Sequence, residues 1–179
     1  MGGGGGGEGG SGKKVENGRV GGGKRKWYGT VQDGGEDEAF REPWVYKMAG
    51  ETDWTMLVTA ELKHSSKPRQ RAAMAVAKSD DLVNWVLQAP TSLPDQGFSE
   101  TEVFQYEIVD GVPILLFCTA GPNISDERRA AGEVGGVYSL PVREDLEDVN
   151  FEDATLFPDT TLYASRLVQD RDGGWYLIA

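Results

Sequence analysis

The chain has 179 residues, enough for one ordinary domain with a sizeable core, and carries a net charge of −11 with an isoelectric point near 4.6. This acidity argues against nucleic acid as a partner, because phosphates need a basic face, and against an anionic membrane surface. No apolar stretch approaches the ~20 residues of a spanning helix, so we expect neither nucleic acid nor a membrane as a partner. The single cysteine, Cys118, excludes an internal disulfide framework.

The first 24 residues are rich in glycine and contain almost nothing that could be buried. Such a segment cannot offset the entropy lost on ordering, so we predict that residues 1–24 are disordered. The segment also lacks the apolar central region of a secretory signal, which leaves the compartment open. Residues 25–179 are predicted to form the folded domain.

Three strand–turn–strand segments follow, and each ends about sixty residues after the previous one. They cover residues 43–60, 103–120 and 165–179, with polar, glycine-containing turns. Aligned on their final alanines, they are offset by 60 and 59 residues (120 − 60 and 179 − 120), and Glu42 and Glu102 then occupy the same position. A hairpin repeated at this period indicates β-propeller blades, and a carboxylate repeated in it indicates a site on the central axis.

Further strands complete two of these units. In the first unit, residues 71–78 predict a third strand, residues 79–85 a turn, and residue 86 the start of an outer strand. In the second unit, residues 135–142 predict the third strand and residues 151–157 the fourth. The sequence therefore predicts an all-β fold with four-stranded antiparallel blades. Two blades and the inner hairpin of a third are visible, whereas a closed ring needs at least four blades. We therefore expect part of a propeller, truncated at both ends.

The pair of glutamates suits one kind of chemistry. The first residues of an inner strand lie at one mouth of the channel, so Glu42 and Glu102 are expected to face a common pocket from adjacent blades. Two converging carboxylates serve glycoside hydrolysis, in which one protonates the leaving oxygen and another stabilises or attacks the sugar cation. The alternative, a pair of solvated charges at the rim, fits the spacing equally well.

Four segments carry a family resemblance through their order and spacing. They are Trp27-Tyr28 with Glu38-Ala39-Phe40-Arg41-Glu42-Pro43-Trp44-Val45, then Ser79-Asp80-Asp81-Leu82-Val83-Asn84-Trp85, then Gly97-Phe98-Ser99-Glu100-Thr101-Glu102-Val103-Phe104-Gln105, and finally Leu162-Tyr163-Ala164-Ser165-Arg166-Leu167-Val168. Together they resemble glycoside hydrolase family 32, which joins families 43 and 68 among the five-bladed propeller enzymes. The resemblance covers roughly residues 27–179 and implies a carbohydrate substrate of the β-fructofuranoside type, such as sucrose, levan or inulin.

The resemblance also assigns site residues by position. It implies that Glu102 is the general acid/base, with Glu100 as its rival, and that Arg41 holds sugar hydroxyls with its planar fork. Glu42 stands where the family has a transition-state-stabilising aspartate. This is a departure, because the extra methylene moves the carboxylate by about one bond length and active sites tolerate misplacements of about 1 Å poorly.

Two tryptophans are candidates for stacking on sugar rings. Trp44 alternates with Val45 on the inner strand and Trp27 precedes it, and a core role for Trp44 is equally compatible with the pattern. With one histidine and one cysteine, the chain shows no spaced cluster of zinc ligands. We expect neither a metal nor a cofactor.

One element of the family pattern has no counterpart in the chain. The nucleophilic aspartate belongs at the start of the preceding blade, and nothing of that kind lies upstream of Trp27. A retaining double displacement needs it, so we expect the isolated chain to be inactive. Two alternatives stay open: an inverting enzyme like those of family 43, acting on arabinosides or xylosides, and a non-catalytic or degenerate sugar-binding propeller.

Overall fold

A computed structural model describes residues 19–21, 24–29, 40–67 and 69–179. The strands are β1 (Arg19–Gly21), β2 (Arg41–Tyr46), β3 (Trp54–Glu61), β4 (Ala72–Ser79), β5 (Asn84–Leu87), β6 (Glu102–Val109), β7 (Val112–Thr119), β8 (Gly136–Pro141), β9 (Thr155–Leu156), β10 (Arg166–Gln169) and β11 (Trp175–Ile178). The α-helices are α1 (Lys24–Trp27) and α2 (Asp126–Ala130), and 3-10 turns cover Gly121–Asn123 and Phe151–Asp153. Within the described ranges, no helix has the length and apolar character needed to cross a membrane.

The strands form two sheets and a separate hairpin. The first sheet has the order β1-β5-β4-β3-β2, the second has the order β6-β7-β8-β9, and β10 pairs with β11. Apart from the parallel pair of β1 with β5, all neighbours are antiparallel. The prediction of an all-β fold built from antiparallel blades, with a hairpin of a third, is confirmed.

Two details differ from the sequence-based predictions. Part of the segment predicted to be disordered, Arg19–Gly21, forms β1 and adds a fifth strand to the first sheet; residues 1–18, 22 and 23 lie outside the described residues. The predicted fourth strand of the second sheet, 151–157, is instead a 3-10 turn followed by the two residues of β9. The reason is local, because the side chain of Asn150 accepts a hydrogen bond from the backbone N–H of Glu152 and so favours a turn over a strand.

The main core lies between the two sheets. The faces of β3 and β4 that carry Leu57, Met74 and Val76 pack against β6, β7 and β8. At its centre is a group of aromatic side chains, all almost fully buried: Phe98, Phe104, Phe117, Tyr138 and Phe151. Their rings meet at 5.3–6.4 Å in edge-on, tilted and stacked arrangements. These rings belong to the second blade and its adjoining loops, and across the blades Tyr46 of β2 stacks on Tyr106 of β6 at 4.8 Å.

Each remaining sheet face also carries a core. The opposite face of the first sheet buries Met56 and the alanines of β3 and β4 together with Tyr28 and Trp85. The second sheet's far face buries Leu116, Cys118 and Val137, which pack against Leu167 and Leu177 of the third hairpin. Both faces of each sheet are therefore apolar, as expected for blades stacked around an axis.

The buried thiol of Cys118 makes a testable prediction about alkaline pH. Burial raises the pKa of Cys118 to about 11, above the value of about 8.5 for an exposed thiol. Between these values the unfolded chain releases the proton while the folded chain keeps it, so stability falls as the pH rises. We expect the wild type to lose about 2–3 kcal/mol more than Cys118→Ala between about pH 8.5 and 11, as measured by urea unfolding. Equal pH dependence of the two proteins would contradict this prediction.

Candidate active site

The inner strands share one irregularity at the end where they begin. In β2 the register with β3 shifts between Arg41 and Trp44, and in β6 the register with β7 shifts between Glu102 and Gln105. The residue with positive φ is Glu42 in the first blade (58°), Val103 in the second (57°) and Ala164 before β10 (51°). These positions are 61 residues apart (103 − 42 and 164 − 103). A bulge of this kind re-aims the side chains beside it.

The predicted equivalence of Glu42 and Glu102 is wrong, as the positions of the two register shifts show. In the backbone, Glu102 corresponds to Arg41, because each is the last paired residue before the bulge, opposite Cys118 and Thr59 respectively. The distance along the chain is 18 residues in the first hairpin (59 − 41) and 16 in the second (118 − 102). The turn of the first hairpin is longer, so an alignment on the final alanines shifts the two strands relative to each other.

Arg41 joins the carboxylates that the sequence singled out. Its Nη2 donates to Glu102 Oε1 at 2.6 Å and to an oxygen of Glu100, and its Nε lies 4.0 Å from Glu42 Oε1. The side chains of Glu102 and Glu100 are only 16% and 22% exposed. Burial would lower the pKa of Arg41, but the hydrogen bonds and charges of Glu102 and Glu100 outweigh it and raise that pKa. The structure thus brings together Arg41, Glu42 and Glu102.

Glu42 itself bridges two blades. Its Oε2 accepts a hydrogen bond from the backbone N–H of Val103 at 3.1 Å and from the hydroxyl of Thr59 at 3.3 Å. One oxygen of the carboxylate is therefore tied to the start of β6, while the other lies on the side of Arg41. A non-glycine residue at positive φ costs on the order of 1 kcal/mol, and such strain is concentrated at functional sites.

Glu100, the rival of Glu102, lies in the loop before β6 and has its own set of partners. Its Oε2 accepts from Asn123 Nδ2 at 3.1 Å, and its backbone carbonyl accepts from the hydroxyl of Thr119 at 2.7 Å. These contacts fix Glu100 from the side of β7 and the turn after it. Of the two glutamates, Glu102 is the one at the bulge of an inner strand.

Tyr163 is a site residue that the sequence analysis did not assign. Its hydroxyl donates to Glu102 Oε2 at 2.5 Å, so both oxygens of that carboxylate are held, one by Arg41 and one by Tyr163. Burial is the main reason why the pKa of the Tyr163 phenol lies far above its ordinary value, and the hydrogen bond with Glu102 raises this pKa further. The spacing of 61 residues from Arg41 to Glu102 and from Glu102 to Tyr163 is a signal that an alignment on the bulge reveals.

The two candidate stacking tryptophans lie apart from each other. Trp44 packs against the core between the sheets, its indole nitrogen is buried with no partner among the described residues, and the guanidinium of Arg166 lies 5.1 Å from the ring centre. Trp27 packs against the core on the opposite face of the first sheet. Trp27 and Trp44 therefore pack on opposite faces of the first sheet.

A second ion pair lies near the carboxylate group. Arg71 Nη2 donates to Glu61 Oε2 at 2.9 Å at the end of β3. Burial raises the pKa of Glu61, and the charge of Arg71 opposes that rise. Neither residue had a distinguishing motif in the sequence. Among the residues the structure describes, no group of three His, Cys, Asp or Glu is arranged to hold a metal ion.

The charge balance at Arg41 leads to a stability prediction. We expect Arg41→Gln to lower the free energy of unfolding by about 1–3 kcal/mol at pH 7, because Glu100 and Glu102 lose the cation between them. Arg143→Gln is the control, since Arg143 pairs with the exposed Asp145 and such pairs contribute at most about 1 kcal/mol. A loss for Arg41→Gln no larger than that for Arg143→Gln would refute the prediction.

Similar folds occur among solved structures. The chain superimposes on a β-fructofuranosidase of glycoside hydrolase family 32 from Bombyx mori, a mutant in complex with sucrose, with a TM-score of 0.51 and 16% identity over 77% of this chain and 28% of that one. The same enzyme without the mutation gives a TM-score of 0.52, again at 16% identity and the same coverage. An inulosucrase from Halalkalicoccus jeotgali bound to kestose gives a TM-score of 0.59 at 18% identity, over 76% of this chain and 37% of that one.

The likeness is one of structure and extends over only part of each matched chain. No protein-family model and no curated protein sequence matches the chain. The chain spans between about a quarter and two fifths of the length of the structures it matches. It has part of the propeller fold seen in family 32 enzymes, which confirms the resemblance in fold that its sequence predicted.

Proposed function

We propose that this chain is part of a glycoside hydrolase of the β-fructofuranosidase type, acting on substrates such as sucrose, levan or inulin. The observation that carries the proposal is the group formed by Arg41, Glu42 and Glu102 at the ends of two adjacent inner strands. The similar folds support it, because the matched Bombyx mori enzyme is a β-fructofuranosidase in complex with sucrose and the matched inulosucrase is bound to kestose. A carbohydrate is the partner this site would bind.

In this proposal each residue has a distinct role. Glu102 protonates the leaving oxygen and later, as a base, activates water, while Glu42 stabilises the charge that develops on the sugar ring. Arg41 binds the carboxylates of Glu102 and Glu100 through one of its three nitrogens, Nη2. The guanidinium has five N–H donors in all, so it would hold a sugar hydroxyl through the other nitrogens. Trp44 and Trp27, proposed from the sequence to stack on sugars, contribute less here, because both pack against core residues.

The retaining mechanism requires a nucleophilic carboxylate besides the acid/base, and because Glu42 is the proposed stabiliser, the nucleophile would be a third carboxylate. The chain supplies candidates for the acid/base and the stabiliser, and we assign no nucleophile among its described residues. The site is therefore proposed to work in a protein in which this chain is joined to further blades. The chain by itself is expected to show no turnover.

The tethering of Glu42 favours one alternative. One of its oxygens is bound to Val103 N–H and Thr59, and a carboxylate fixed in this way can serve blade packing rather than a transition state. A sugar-binding propeller without catalysis would show this feature too. The two functions differ in turnover, which can be measured directly.

The test is hydrolysis by a protein that carries this chain together with the remaining blades of the ring. We expect it to hydrolyse sucrose or inulin with the initial product in the retained anomeric form, followed by NMR. Hydrolysis of aryl arabinosides or xylosides with inversion would support the family 43-like alternative instead. Sugar binding by calorimetry without hydrolysis would support the non-catalytic one. Neither binding nor hydrolysis of any sugar in the panel would refute the proposal.

A further inference from the structure

One row of side chains crosses three successive blades. Arg41, Glu102 and Tyr163 each immediately precede a residue of positive φ, at intervals of 61 residues. The same backbone irregularity thus turns three different side chains toward one place. Glu102 is the middle member, and it receives hydrogen bonds from both neighbours, from Arg41 on Oε1 and from Tyr163 on Oε2.

The third hairpin is fixed against the second blade, which holds Tyr163 in place. Gln105 of β6 forms two hydrogen bonds with the backbone of Leu167, one to its carbonyl at 2.7 Å and one from its N–H at 2.8 Å. The Arg166 Nη1 donates to the carbonyl of Val103 at 2.6 Å. Gln105 is almost fully buried, so these bonds lie away from water, where they are worth more. Tyr163 lies three residues before Arg166, where β10 begins, so its position depends on that of the hairpin.

The two partners of Glu102 differ in what they can do when its protonation changes. A guanidinium can only donate, so Arg41 binds the ionised carboxylate well and a protonated one poorly. A phenol donates to the carboxylate and can also accept a hydrogen bond from the protonated carboxyl group. The raised pKa of Tyr163 keeps its own proton in place at neutral pH. Tyr163 can therefore stay bound to Glu102 in both states.

We propose that Tyr163 is a positioning residue for Glu102, orienting its carboxyl group both when it gives up its proton to the leaving oxygen and when it takes a proton from water. The inference rests on the proposed function, because it gives Tyr163 a role only if Glu102 is the acid/base. Tyr163 acts through Glu102 and has no reaction of its own with the sugar. This role differs from that of Arg41, whose guanidinium can donate hydrogen bonds but cannot accept them.

A first measurement uses the chain itself. Tyr163 is partly exposed, so its hydroxyl proton is sought in proton NMR spectra at low temperature, where exchange with water is slowed. We expect such a resonance in the wild type and in Tyr176→Phe, which removes an exposed tyrosine of the same hairpin. The resonance should be absent in Tyr163→Phe and displaced in Glu102→Gln. A spectrum in which Tyr163→Phe removes no such resonance would overturn the inference.

A second measurement uses the protein with its ring completed and compares two leaving groups. The glucose of sucrose must be protonated by the acid as it leaves, whereas the p-nitrophenyl group of an aryl fructofuranoside leaves with little need of a proton. We expect Tyr163→Phe to lower kcat/KM for sucrose about tenfold or more and that for the aryl fructoside by less than about threefold, since acid catalysis matters only for the first. Tyr176→Phe should change neither.

The outcomes separate this inference from the function on which it rests. Equal losses for both substrates would show that Tyr163 serves only the fold, and no loss for either would show that it is dispensable; each result overturns the inference alone. A wild type without hydrolysis of either fructoside overturns the proposed function and the inference with it. A loss confined to sucrose supports both.

Discussion

Replacing Glu102 with glutamine is expected to lower kcat for sucrose by about 10²–10⁴-fold in the protein with its ring completed, because an amide cannot supply the proton for the leaving glucose. The substitution keeps the shape of the side chain, and its amide can still meet Tyr163 and Arg41. The loss should therefore fall on turnover, while the affinity for the sugar changes little. Steady-state kinetics with sucrose, together with calorimetric binding, measure the two effects separately.

Two further substitutions make this prediction specific. Glu107→Gln is the control, because Glu107 lies on the same strand and contacts Gln105 rather than Arg41. It should leave kcat within about threefold of the wild type. Glu100→Gln tests the rival, which is bound to Arg41 and Asn123. If Glu100→Gln abolished turnover and Glu102→Gln left it intact, the assignment of the acid to Glu102 would be wrong.

Replacing Phe117 with alanine is expected to lower the free energy of unfolding by about 3–5 kcal/mol. Phe117 is almost fully buried on β7 and meets the rings of Phe98, Tyr138 and Phe151 at 5.5, 5.6 and 5.3 Å. Its removal would leave a cavity at the contact between the two sheets, which cannot collapse without moving one sheet. Because domains are stable by only about 5–15 kcal/mol, a loss of this size is a large fraction of the total.

The control for this substitution lies on the same strand. Val112→Ala removes a side chain that is half exposed, and its effect should stay within about 1 kcal/mol. Urea unfolding followed by tryptophan fluorescence gives both values. Equal effects of Phe117→Ala and Val112→Ala would mean that the two sheets do not depend on the aromatic cluster between them.

Much of the fold could be predicted from the sequence because its signals are local. The hairpins were readable from alternating strands and turns such as Asp110-Gly111, where the glycine adopts φ of 82°. β1 gave no such signal, since a three-residue strand among glycines has no apolar pattern, and only its pairing with β5 defines it. The turn at Phe151–Asp153 was missed because a single capping side chain, Asn150, decides it.

The site was predictable in its members and less so in its arrangement. Arg41, Glu42 and Glu102 were singled out from motif and spacing, and the structure brings them together. The equivalence of Arg41 with Glu102 depends on the lengths of the turns and on the register of the strand pairs. An alignment of the hairpins on their final alanines contains neither. Tyr163 was missed because its hydrogen bond joins residues from different blades, and such contacts leave no mark in the local sequence.

The contacts between blades explain how separate hairpins form one site. Glu42 binds the start of β6, Arg166 binds the carbonyl of Val103, and Gln105 binds Leu167. Each contact joins one inner strand to the next and so helps hold the side chains at the strand ends in register. The position of Glu102 therefore depends on both neighbouring blades.

The most direct test is a crystal structure of the Glu102→Gln protein, with the ring completed and sucrose bound. We predict that the sucrose lies at the ends of β2 and β6, with its glycosidic oxygen within about 3.2 Å of the side-chain amide at position 102. Tyr163 should lie beside that amide and Arg41 on its other side. Sucrose bound away from these strand ends, or held there with the glycosidic oxygen turned away from position 102, would contradict the assignment of Glu102 as the acid/base.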